Sequence, residues 1–118
     1  MKKLLAVLLG FLFISACAAA KPAPTPKELT VDPSEAREDC FELAGGQVLS
    51  YGFNSSGPVD FHIHYHEDGS MIYSIRTDNT TEGKGTFKAE KSQIYCLMWT
   101  NSGIRPVTLR YWAQPGVR

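Results

Sequence analysis

Three histidines, His62, His64 and His66, are the entire histidine complement of this 118-residue chain, and they alternate along it with Asp60 just upstream. Imidazole is both a transition-metal ligand and a group that titrates near neutral pH. A period of two places all members of such a row on one face of a strand. Neighbours then stand about 6.6 Å apart along the strand and the end members about 13 Å apart. Two adjacent imidazoles can converge on one ion at metal–nitrogen distances of about 2.0–2.1 Å, whereas three on one ion would be strained. The expected site therefore pairs His62 with His64, or His64 with His66, and adds a third donor. Asp60, Glu67 and Tyr73 are nearby residues of suitable type. Zinc, copper or nickel would suit such donors. The competing reading is a solvated polar face, for which alternation alone suffices. A pH sensor is a third.

The three cysteines suggest two different chemistries. Cys17 ends the run Ile14-Ser15-Ala16-Cys17, which follows Lys2, Lys3 and the apolar stretch from Leu4 to Ile14. That order is a secretory signal, and the apolar stretch is too short for a comfortable membrane span of about 20 residues. The four residues resemble the lipobox of bacterial lipoproteins. The resemblance implies cleavage before Cys17, diacylglycerol on its thiol and an acylated new amino terminus; two or more acyl chains anchor stably where one does not. Ala18 after the cysteine points to the outer membrane, with the protein facing the periplasm. Ala18-Ala19-Ala20 also fits an ordinary cleavage site, which would release a soluble periplasmic protein. Cys40 and Cys96 fall on expected strands in an oxidising compartment, and we expect them to pair. Closing so long a loop is worth about 4 kcal/mol on the chain-entropy account. Two buried free thiols are the alternative.

The elements that must position these residues divide the chain into 1–16, a signal; 17–39, an acylated and proline-rich tether; and 40–118, a folded domain. Pro22, Pro24, Pro26 and Pro33 punctuate the tether, which has few apolar residues and is expected as a semi-rigid extended spacer. A helical turn over 34–38, capped by Ser34, is the one element expected there. From Cys40 onward short alternating runs are broken by turn residues, so strands are expected near 40–43, 47–53, 59–66, 71–76, 85–89, 93–100 and 106–113. Residues 54–58 and 77–83 read as loops, and Asp68-Gly69 as a hairpin turn with Gly69 at positive φ. The fold class is all-β: an antiparallel, jelly-roll-like β-sandwich of seven or eight short strands closed by one disulfide.

Several runs together resemble the GOLD (Golgi dynamics) domain: Cys40-Phe41-Glu42, Gly46 to Phe53, Val59-Asp60-Phe61-His62-Ile63 leading to Asp68-Gly69, Gly85-Thr86-Phe87-Lys88-Ala89, and Ile94-Tyr95-Cys96-Leu97 with Asn101. The similarity spans most of the chain after Cys40. It implies a jelly-roll-like sandwich, a Cys40–Cys96 disulfide and binding to other proteins without enzyme activity. Members of that family carry a coiled coil and a membrane helix after the sandwich. Here the expected anchor precedes it, so only the fold and a general binding role are implied.

Other chemistry finds little support. Twelve basic residues balance twelve acidic ones, and loss of Lys2 and Lys3 leaves the mature chain slightly acidic. Nucleic-acid binding, which needs a phosphate-neutralising basic face, is disfavoured. There is no G-x-S-x-G elbow, and Asp60, Glu67 and Asp68 suggest a carboxylate pair by type only. Asn54-Ser55-Ser56 and Asn79-Thr80-Thr81 match the glycosylation pattern but read as loop residues. Aromatic residues crowd the strands and are expected mainly in the core. Tyr111 and Trp112 must face opposite ways, so one of them, with Trp99, is a candidate glycan or protein contact surface. The expected function is a non-enzymatic, lipid-anchored envelope module contacting protein or glycan. The alternative is periplasmic zinc, copper or nickel binding on the histidine strand.

Overall fold

A computed structural model describes Gly10 and residues 24–117. Apart from Gly10, the expected signal, Cys17 and the first part of the expected tether lie outside the described residues. Among the described residues six strands follow one another: β1 (Lys27–Val31), β2 (Ala36–Leu43), β3 (Val48–Glu67), β4 (Ser70–Lys88), β5 (Gln93–Thr100) and β6 (Val107–Pro115). All pair antiparallel in one sheet, in the order β1-β6-β3-β5-β2, with β4 on the other side of β3. No helix occurs among the described residues.

The all-β expectation holds, with fewer and longer strands. The sequence suggests seven or eight short strands; β3 and β4 are 20 and 19 residues long and each absorbs two of them. Along one side of β3, Leu49–Ser55 pairs with β6 and Asp60–His64 pairs with β5. The sheet thus has two halves: β1, β6 and the first part of β3, and β2, β5 and its last part, with β4 running along both. The halves face each other across an aromatic core. Phe53 of the first half lies 4.7 Å from Phe61 and 5.8 Å from Trp99 of the second, and Tyr111 of the first lies 4.5 Å from Trp99, ring centroid to centroid. Phe87 meets Tyr95 in the same way at 5.0 Å. Leu43, Leu49, Ile63, Leu97 and Leu109 fill the rest and are essentially inaccessible.

Two segments expected as loops run as strand. Residues 54–58 contain a register shift against β4, but Asn54 and Ser55 keep their pairing with β6, and Pro58 sits where the β4 ladder is interrupted. Asp60 fixes this irregular stretch: its Oδ1 accepts from the Asn79 backbone N–H at 2.8 Å and its Oδ2 from the Ser102 hydroxyl at 2.9 Å. Residues 77–83 pair with β3 because Gly83 stands opposite Phe53, whose ring lies over it.

The folded region also begins earlier than expected. Of residues 17–39, read as tether, 27–31 form β1 against β6 and 36–39 open β2 against β5. The charged residues there are compatible with edge strands, whose outer faces meet water. The expected helical turn at Ser34 is absent. Ser34 adopts φ 66° in a turn, and its N–H donates to the Asn101 carbonyl at 2.8 Å, which draws the chain straight into β2. The β3–β4 hairpin turns at Asp68 (φ 51°) and Gly69 (φ 76°), the positive-φ pair of a tight two-residue connection.

Candidate metal centre

The histidine row sits on the face of β3 turned away from the core, as alternation requires, but it is not solvated. His64 is completely buried and His62 nearly so; only His66 is exposed. Register explains the burial. His64 is paired with Tyr73 of β4 on one side and Cys96 of β5 on the other, and Cys96 is paired with Cys40 of β2. The next row holds Arg76, His62, Met98 and Glu38. The imidazoles pack edge to face, His62 on His64 at 4.9 Å and His64 on His66 at 5.1 Å between centroids, with Tyr73 against His62 at 4.8 Å. A solvated polar face is therefore corrected to a partly roofed one.

Neither ring nitrogen of His64 has a hydrogen-bond partner among the described residues, and Nε2 of His62 has none. Glu38 Oε2 comes within 3.3 Å of His64 Nε2 without the alignment of a hydrogen bond. Burial pushes the His64 imidazole below its ordinary range; the Glu38 carboxylate opposes that and His66 adds to it. His62 is lowered by burial and then by His64 and Arg76, with Asp78 opposing. Both effects favour neutral rings, the state in which imidazole ligates metal.

The donors that converge differ from those the spacing suggests. Among the described residues, one group of three or more potential ligand atoms lies within 4.8 Å of one another: Glu38, His64 and Cys96. His62 and His66 flank His64 but are not in that group. Asp60 is occupied by Asn79 and Ser102, and Glu67 by an ion pair with Lys91. Glu38 is the donor sequence reasoning missed, because it lies in the stretch read as tether. Its signal is spacing: Glu38 and Cys40 are two residues apart and share a strand face. Two donors on one tetrahedral ion stand about 3.3 Å apart when each bond is near 2.0 Å, and the His64–Glu38 separation of 3.3 Å matches that.

Cys40 and Cys96 are bonded, as expected, across 56 residues of sequence. The candidate aromatic surface is corrected. Trp99 and Tyr111 are buried in the core because their strands turn those faces inward, and Tyr111 is further tied down by donating its hydroxyl to Asp39 Oδ2 at 2.8 Å. Trp112, on the opposite face, lies over Gly52 and lines an open groove of about 800 Å³ with Pro26, Asn54 and Arg110.

No family model matches the chain, and no curated protein matches it. Among solved structures it is similar to a de novo designed double-stranded β-helix determined by solution NMR, at 19% identity and a TM-score of 0.47, covering 77% of this chain and 100% of that one.

Proposed function

We propose that this chain is a non-enzymatic binding module of the cell envelope, held by lipid on Cys17, whose histidine face takes a transition-metal ion. The observation that carries the metal reading is His64: fully buried, unprotonated by preference, with both nitrogens unpartnered among the described residues and a carboxylate 3.3 Å away. Leaving a buried polar group without a partner costs about 1–3 kcal/mol, and a ligand would offset that cost. His64 and Glu38 supply two donors, and the exposed His66, whose ring packs on His64 at 5.1 Å between centroids, is the accessible neighbour for a third. Glu38 and His66 are both exposed, so an ion can enter from their side. Zinc or copper titrated into the mature chain is expected to bind with micromolar or better affinity, and His64→Ala to abolish the heat. Calorimetric silence at millimolar metal would end the reading.

A second reading, contact with a protein, draws support from Met71, Tyr73 and Ile94, which are 37%, 47% and 55% exposed around the same histidines. It agrees with the GOLD-like sequence pattern. Replacing Tyr73 and Ile94 by Ser separates the two: metal affinity persists under the first reading, while capture of an envelope partner is lost under the second.

A further inference from the structure

The disulfide lies inside the candidate site. We propose that it gates the site: once reduced by a dithiol, Cys40 and Cys96 join His64 and Glu38 as a four-donor centre for one zinc ion. This rests on the metal reading of His64 and adds its regulation.

Three adjacent strands place the donors together. His64 of β3 is paired with Cys96 of β5, and Cys96 with Cys40 of β2, so imidazole and both sulfurs occupy one row on one face. Glu38 enters from the same face of β2. Its carboxylate, the His64 nitrogen and Cys96 Sγ lie within 4.8 Å of one another, and Cys40 Sγ is 3.5 Å from Glu38 Oε1. Ile63 and Leu97, paired beside this row and fully buried, hold its register. The wholly buried His64, unpartnered among the described residues, is an independent sign that the place awaits a ligand. A disulfide sulfur carries no charge and ligates poorly, whereas the thiolate is a metal ligand. In the oxidised protein the sulfurs therefore occupy two coordination positions without using them. Reduction supplies two soft anionic donors, and Cys₂ with His and a carboxylate completes a tetrahedral zinc set.

The exchange has a defined direction. Cys40 is exposed on edge strand β2, whereas Cys96 is only 5% exposed. One thiolate of the external dithiol attacks Cys40 Sγ, the Cys40–Cys96 bond breaks and Cys96 leaves as thiolate. The second thiol of the reductant attacks the mixed disulfide and releases Cys40. The reductant ends as a disulfide. Its two electrons and two protons pass to the cysteine pair, and zinc then displaces those two protons to solvent.

The test compares zinc affinity of the mature chain, by competition with a chromophoric chelator, in oxidised form and after reduction by a phosphine. Reduction is expected to tighten binding by about 100-fold or more. Cobalt in place of zinc should show a thiolate-to-cobalt charge-transfer band in the reduced protein alone. Reduced His64→Ala should keep the band but lose at least about tenfold in affinity, and Cys40→Ser/Cys96→Ser should show no response to reductant. Equal affinity in both redox states, without the band, overturns the gate and leaves the histidine reading standing. No zinc binding in either state overturns both. Unchanged affinity in reduced His64→Ala overturns the composite centre. If reduction alone unfolds the chain, circular dichroism decides: zinc must restore the β-sheet signal, and failure to do so overturns the proposal.

Discussion

At the scale of the residue, His64 is placed where a metal-free protein gains nothing from it. An apolar side chain of similar bulk would remove two buried unpaired nitrogens, and such replacements are neutral or stabilising. His64→Leu is therefore expected to raise the stability of the metal-free protein by about 1 kcal/mol in urea titration while abolishing zinc binding by the oxidised protein. Stability should also depend on pH through the same rings. The folded state holds His62 and His64 below the ordinary imidazole value, so between the folded and unfolded values the unfolded chain binds more protons. Stability is then full above the unfolded value of about 6.5 and declines as pH falls through the folded ones. For the metal-free protein the urea midpoint should be lower at pH 5.5 than at pH 7.5, and His62→Gln/His64→Leu should flatten that difference. The row itself was readable from alternation. Its burial was not, because that depends on Tyr73 and the disulfide arriving from strands whose register no local pattern specifies.

At the scale of the element, the turn residues and the alternating runs were legible, while the continuity of β3 and β4 was not. Asp68-Gly69 carries its own backbone preference and reads correctly in isolation. Residues 54–58 and 77–83 are rich in Ser, Thr, Gly and Asn, which locally favour loops; they are strands because partners on β6 and β3 take up their backbone groups. The tether was misread for a related reason: β1 has few apolar residues, and Val31 is its one buried side chain. Gly83 shows what holds β4 in place. A Cβ there would meet the Phe53 ring at 2.6 Å, and that ring is fixed between Phe61 and Trp99. Gly83→Ala is expected to cost about 1–3 kcal/mol, read as a lower urea midpoint at unchanged slope.

At the scale of the whole molecule, the sheet and the proposed lipid anchor belong to different parts of the chain. Lys2, Lys3, the apolar stretch and Ile14-Ser15-Ala16-Cys17 argue for export and acylation independently of the fold. Cells producing the chain should incorporate labelled palmitate into it, and Cys17→Ser should lose the label and leave the membrane fraction. A chain that keeps its membrane association without label would refute the lipid anchor.

The pairing of β1 with β6 also sets the timing of folding. β1 finds its neighbour in β6, with Lys27 opposite Tyr111, and four strands lie between them in sequence. Few pairings here join residues near in sequence, and such topologies assemble slowly because long loops must close first. Until residues beyond 107 have emerged, Val31 has no ladder to join and the floor of one half is missing. The half of the sheet built on β1 therefore closes only after β6 has been made, whereas the β3–β4 hairpin can form before it.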